Sequence, residues 1–282
     1  MTDRRYSALV LAASRGNLDP LAQAGGVSHK SFIDIAGVPM LERVVRSVVE
    51  SGRVGRVIIS IEEGSAAEAR RMLAGIPGAE TFAFVPSREN IGTSVIAVAD
   101  DSALLPMIIT TGDNALHTPE LVRNFCDSLD RVTADAGLGV TRAELILEKY
   151  PDGQRAFHRF ADGAFSSCNL YAFLSPAAVG GARIFNSGGQ FGKKPKRLIG
   201  AFGLLAFMLY KSRWLKLETF LGFLSRGLGI SVAPVYIPYA EGPIDVDRMQ
   251  DWKLAEEIIA RRDAGVSGGL RKGGGGRTRA RT

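Results

Sequence analysis

Apolar residues along the chain fall into short β-rich runs separated by longer stretches with helical spacing, and that alternation predicts an α/β domain with a mostly parallel central sheet. Strands are expected at Tyr6–Ala12, Arg56–Ile61, Thr81–Val85 and Met107–Thr111. The segments Pro39–Glu50, Ser65–Leu73 and Thr93–Leu104 read as helices, with Pro39 at a first turn where a missing N–H costs nothing. A further helix, Pro119–Leu129, follows Thr118 as its N-cap. Beyond residue 137, Leu138–Thr141 reads as a strand, and Ala156–Phe160 with Ala164–Phe173 flank Asp162-Gly163, a hairpin turn signal. The chain then turns helical from Pro176 to about residue 226, with a last strand at Ile230–Ile237 and a last helix at Arg248–Arg262. From Gly265 onward the sequence is Gly-rich, basic and of low complexity, and reads as a disordered tail. The expected organisation is one domain over residues 1–262 with a basic, apolar helical insert at 193–226, then the tail at 263–282. No internal repeat is visible.

Composition adds little until the charge is located. The net charge of +6 suggests a polyanionic partner if it is evenly spread. It is not. Residues 193–216 carry seven basic side chains (Lys193, Lys194, Lys196, Arg197, Lys211, Arg213, Lys216) and no acid, and residues 264–282 carry five (Arg271, Lys272, Arg277, Arg279, Arg281) and no acid. Setting those twelve aside leaves 23 basic side chains against 29 acidic ones, a net −6, so nucleic acid is not an expected partner. Two cysteines, Cys126 and Cys168, make no disulfide framework and no metal-ligand spacing, which points to a reducing cytoplasm. The apolar run Ala8–Ala13 lacks a signal-peptide pattern and reads as a strand. The longest apolar stretch, Leu198–Tyr210, would span about 20 Å as a helix, short of the roughly 30 Å bilayer core. It can lie on a membrane but not cross one.

Four stretches carry candidate chemistry. The loop Leu11-Ala12-Ala13-Ser14-Arg15-Gly16 follows a strand directly and offers backbone N–H groups to a phosphate, although a plain tight turn has the same composition. Lys30 ends a long Gly-containing loop, where it either reaches a bound anion or is simply solvated. Thr110-Thr111-Gly112-Asp113-Asn114 is an apolar strand ending abruptly in an acid, a placement suited to Mg²⁺ beside a phosphate. Ile244-Asp245-Val246-Asp247 repeats the apolar-to-acid transition before the last helix, where Asp247 has the alternative role of N-cap.

Taken in order, these stretches resemble the MobA-like NTP transferase family, whose pattern runs L-A-A-G-x-G-x-R, then a lysine before G-x-P-[LM]-[LI], a strand ending in G-D, and a late D-x-D or N-x-N. The matches are Leu11–Gly16, Lys30 with Gly37-Val38-Pro39-Met40-Leu41, Gly112-Asp113, and Asp245-Val246-Asp247, spread over residues 6 to about 262. The resemblance implies a single GT-A-like, Rossmann-like α/β/α domain. It also implies transfer of NMP from an NTP to a small phosphorylated acceptor, with release of pyrophosphate and Mg²⁺ as cofactor. On that resemblance the backbone from Leu11 through Ala12, Ala13 and Ser14 to Gly16, together with Gly112, binds the triphosphate, with Arg15 nearby. Lys30 neutralises the α-phosphate, and Asp113 with Asp245 or Asp247 holds the metal. Gly92 and Ser94, in Asn90-Ile91-Gly92-Thr93-Ser94, face base and ribose, and Asn169 lies near the acceptor, although a structural hydrogen bond would explain that asparagine equally.

One departure stands out: Ser14 replaces the family's first glycine and Leu18 its arginine. A nucleotide-binding, membrane-associated protein whose catalytic loop has decayed at Leu18 is therefore one alternative, and a GT-A glycosyltransferase, which also uses D-x-D for metal, is the other. The insert at 193–226 admits a buried core or homodimer helix, or a peripheral helix at the inner face of a membrane.

Overall fold

In a computed structural model, residues 5–14, 19–151, 156–182 and 195–265 are described, and of Ala182 and residues 195–203 only the backbone. The strands are β1 (Tyr6–Leu11), β2 (Asp34–Ile35), β3 (Val38–Pro39), β4 (Val54–Ile61), β5 (Ala83–Pro86), β6 (Met107–Thr111), β7 (Ala136–Arg142), β8 (His158–Phe160), β9 (Gly163–Phe173) and β10 (Val232–Tyr236). The helices are α1 (Pro20–Ala24), α2 (Met40–Glu50), α3 (Glu63–Leu73), α4 (Ile91–Ala99), α5 (Pro119–Leu129), α6 (Ala143–Lys149), α7 (Pro176–Ala182), α8 (Pro195–Ser212), α9 (Leu217–Leu228) and α10 (Met249–Asp263). The main sheet runs β10-β7-β9-β6-β1-β4-β5, with β8 paired to β9. All ladders on that path are parallel except those of β9, which is antiparallel to both β6 and β7. The mostly parallel sheet expected from the alternation is therefore present, and β9 alone along the path runs against it.

The apolar runs are continuous because the central strands are buried on both faces. Ala8, Val10, Ile59 and Ile108 pack with Val44, Val45 and Val48 of α2 and Leu121, Val122 and Phe125 of α5. Their sequence neighbours Leu9, Ile58, Met107 and Ile109 face the other way, onto Val95, Val98 and Ala99 of α4 and Val179 of α7. A third cluster, with Ile33, Met40, Leu116, Ile244, Val246, Ile258 and Ile259, lies beneath α10 and holds the loops that carry the candidate acids. The two strands at the ends of that path both contain proline, Pro86 at the end of β5 and Pro234 within β10.

Boundaries differ from the sequence expectations for local reasons. Pro39 is the N-cap of α2 and pairs in β3, so it sits one position before the helix rather than inside its first turn. Asp100 ends α4, and residues Ser102–Leu104 form a separate 3-10 turn capped by Asp101. Thr118 caps α5 as expected, its side chain accepting from Leu121 N. In the insert, Leu204, Leu205, Met208 and Trp214 are exposed, which removes the buried-core reading for that face. Lys193 and Lys194, like the tail beyond Gly265, lie outside the described residues.

Candidate functional site

The carboxyl ends of β1 and β6 lie side by side, joined by Gly112 N donating to Leu11 O at 2.8 Å. Close approach requires the glycine: a Cβ there would stand 3.0 Å from Ser31 Oγ and 3.3 Å from Ala12 Cα. Ala12 N is taken by Ser60 O at 2.8 Å and Ser14 N by Glu62 Oε1 at 2.8 Å, while Ser14 Oγ is buried with no hydrogen-bond partner among the described residues. Arg15, Gly16 and Leu18 lie outside the described residues.

Lys30 opens a 3-10 turn, Lys30–Phe32, whose N-cap is His29. His29 Nδ1 accepts from Ser31 N at 3.1 Å, so Nε2 carries the proton and donates to Glu62 Oε2 at 3.0 Å. Glu62 thereby ties the loop after β1 to the turn that presents Lys30. The Lys30 ammonium lies 2.9 Å from Asp113 Oδ2 and 2.7 Å from Asp247 Oδ1. Burial alone would lower the Lys30 pKa, but the charges of Asp113 and Asp247 and their hydrogen bonds outweigh it and hold the ammonium above its ordinary range. Two of its three donors are engaged.

Around this ion triad runs a polar chain. Asp113 Oδ1 accepts from Thr111 Oγ1 at 2.6 Å, and Asn114 Nδ2 contacts the same hydroxyl. Asn169 Nδ2 lies 3.3 Å from both Asn114 Oδ1 and Asp245 Oδ2. Asn169 adopts φ 51°, a left-handed conformation that asparagine tolerates better than most side chains. Val246 N donates to Asp113 O at 3.0 Å, pinning the two acidic loops together. The sequence candidates Lys30, Asp113, Asp245, Asp247, Gly112 and Asn169 thus assemble in one place. Asp247 is not an N-cap: Arg248 occupies that position of α10.

Gly92 and Ser94 lie on α4, and among the described residues no hydrogen bond ties them to this cluster. Ser94 is buried and its hydroxyl accepts from Arg88 N at 2.8 Å, so it shapes the loop before the helix. A shallow, open depression of about 500 Å³ beside it is lined by Arg88, Glu89, Thr93, Ile96 and Ala97. Sequence reasoning assigned no role to Glu62 or His29. The signal was available for Glu62, since β4 ends in an acid just as β6 does; His29 became visible only through its ring geometry.

Among the described residues no three His, Cys, Asp or Glu side chains gather as a metal site. The donor set nevertheless suits Mg²⁺. Asp113 and Asp247 are hard oxygen donors whose carboxylates meet at the Lys30 ammonium, and Mg²⁺ is commonly held by one or two carboxylates with substrate phosphates completing the shell.

Comparison with known proteins adds the context. No family model matches the chain. It is 28% identical over 237 residues to a 3-deoxy-manno-octulosonate cytidylyltransferase of Parvibaculum lavamentivorans, covering 83% of this chain and 87% of that protein. Over 123 residues it is 31% identical to a 2-C-methyl-D-erythritol 4-phosphate cytidylyltransferase of Rhodococcus jostii, covering 43% of this chain and 50% of the relative. Among solved structures it aligns with a hypothetical transferase from Thermus thermophilus at TM-score 0.67 and 23% identity, covering 88% and 99% of the two chains. It also aligns with a 4-diphosphocytidyl-2C-methyl-D-erythritol synthase from Anaerococcus prevotii at TM-score 0.57 and 14% identity, covering 92% and 97%. The chain shares its fold with nucleotidyltransferases. Both curated relatives are cytidylyltransferases.

Proposed function

We propose that this chain transfers a nucleotidyl group from an NTP to a small acceptor, releasing pyrophosphate. The observation that carries the reading is the Lys30 ammonium held between Asp113 and Asp247 at the joined ends of β1 and β6. An acceptor oxygen, from a phosphate or from a sugar-acid hydroxyl that gives up its proton to solvent, attacks the α-phosphorus, the bond to the bridging oxygen breaks, and pyrophosphate departs with its electron pair. Such a reaction needs positioning and charge neutralisation rather than a covalent intermediate. Lys30 keeps one ammonium donor for an α-phosphate oxygen while its other two hold the carboxylates. Ser14, with its unpartnered buried hydroxyl, and the backbone of Ala13 line the approach for the triphosphate. Asn169, tied to Asn114 and Asp245, faces the acceptor side. Asp113 and Asp247 would hold Mg²⁺, which supplies further neutralisation of phosphate charge when bound.

The relatives make cytidine triphosphate the first donor to try, with sugar acids and polyol phosphates as acceptors. The MobA-like pattern at Leu11–Gly16, Lys30 with Gly37–Leu41, Gly112-Asp113 and Asp245–Asp247, broken at Ser14 and Leu18, supports placement in that subfamily. The position of D-x-D beside the last helix favours nucleotidyl over glycosyl transfer.

The test is pyrophosphate release across the four NTPs with that acceptor panel. Release with at least one pair is expected, and Lys30→Met and Asp113→Asn should each lower kcat/KM by about 100-fold or more. Nucleotide binding without release under any pairing would overturn the reading in favour of a binding protein.

A further inference from the structure

The chemistry at Lys30 makes no use of the apolar, basic run through α8 and the turn that follows it. Four large apolar side chains stand in solvent there: Leu204 at 58% exposure, Leu205 at 54%, Met208 at 51% and Trp214 at 83%. At about 100° of rotation per residue, Leu204, Leu205, Met208 and Lys211 share one arc of α8, and Ala206 on the opposite arc is fully buried. Lys211, Arg213 and Lys216 are exposed at the end of the same segment, which contains no acid from residue 193 to 216.

This platform is anchored. Tyr210 OH and His158 Nδ1 are 2.7 Å apart, Ala161 N donates to Leu215 O at 2.9 Å, and Leu217 N donates to Asp162 Oδ1 at 3.0 Å. Leu217 and Leu221 of α9 pack on Val140 and Phe165 of the sheet. The turn between β8 and β9 is therefore the fixture. Because β9 runs against β6, this turn lies beyond the carboxyl edge that carries Lys30 and Asn169.

We propose that the exposed face of α8 and the Trp214 turn dock on an anionic lipid surface. A helix face of leucine and methionine ending in tryptophan and lysine matches the layering of a bilayer interface. Apolar groups meet the acyl boundary, the indole sits at headgroup level, and cations meet lipid phosphates. The alternative occupant, a second copy related by two-fold symmetry, would bring two acid-free basic segments against each other, and like charge opposes that. The net −6 of the chain outside its two basic stretches repels the same lipid surface and so orients the docked molecule. This inference stands independently of the chemistry proposed above.

The experiment is flotation of the full-length protein with vesicles of zwitterionic lipid alone and with vesicles in which about a third of the lipid is anionic. Co-flotation with the anionic vesicles only, falling as salt rises, is expected, with a blue shift of tryptophan emission. A Leu205→Gln, Met208→Gln, Trp214→Gln variant and a Lys211→Glu, Lys216→Glu variant should each weaken vesicle affinity by about tenfold or more, with circular dichroism unchanged. These side chains are exposed, so folding does not depend on them, and the salt dependence and emission shift of the unmodified protein give a readout that needs no variant. Absence of flotation overturns the proposal, as does undiminished flotation of both variants, which would place binding on the basic tail. A dimer in sedimentation that the apolar variant dissolves, with no vesicle binding, assigns the face to a second copy instead.

Discussion

Asp113 and Asp247 end on one ammonium, and that geometry makes Lys30 hard to replace even by another cation. An arginine is planar, longer and strongly fork-shaped, whereas the site uses a compact charge with three tetrahedral donors. Lys30→Arg should therefore lose most of the pyrophosphate-release activity, by about tenfold or more, while its thermal midpoint moves little. Glu62 works at one remove. Its two oxygens hold Ser14 N and His29 Nε2, so Glu62→Ala frees both the loop after β1 and the ring that seats Lys30. The expected signature is a rise in KM for the nucleotide with a smaller fall in kcat. Glu62→Gln should restore part of it, because an amide oxygen can still accept one of the two donors.

At the scale of elements, the loop between β10 and α10 carries Asp245 and Asp247 and is pinned from two sides. His117 Nε2 lies 2.9 Å from Gly242 O, and burial pushes this ring down to about 4, so it is neutral in the fold. Glu241 accepts from Lys149 and from Tyr150 OH; burial alone would raise its pKa, yet those partners and the Arg262 charge hold it below the usual range. Both effects have the same sign. The unfolded His117 binds a proton near pH 6.5 and the folded one only near 4, so stability is full above about 6.5 and falls between those values as pH drops. Glu241 adds a further loss below about 4.5. Denaturant midpoints at pH 7.5, 6 and 5 should decline in that order, with His117 worth up to about 3 kcal/mol across the window, and His117→Gln should flatten the decline. None of this was visible in the chain order of residues, because His117 and Gly242 are far apart in sequence. By contrast β1, β4, β6 and α5 were legible, since strands buried on both faces write uninterrupted apolar runs and Thr118 marks its helix start. The four candidate stretches were legible for a related reason: each is an abrupt change from apolar strand to polar loop. The helix α6 and the hairpin of β2 and β3 were not read at all, being short and lacking such contrast.

For the molecule as a whole, charge is segregated: a body of net −6 is joined to a basic platform through the turn between β8 and β9. The sheet contributes something different, through its two rims. Ile237 N reaches inward to Val140 O and Ser87 N inward to Ile61 O, so by alternation the nitrogens of Pro234 and Pro86 point outward. Val232 N, on the same outer row as Pro234, is taken by Ser225 Oγ at 2.9 Å. Each rim therefore lacks a donor where a neighbouring strand would have to attach. Growth of the sheet from one molecule into the next is disfavoured in both directions, which protects a chain rich in β-forming runs when it is crowded during synthesis or storage. Restoring the donor by Pro234→Val should raise light scattering in concentrated solution.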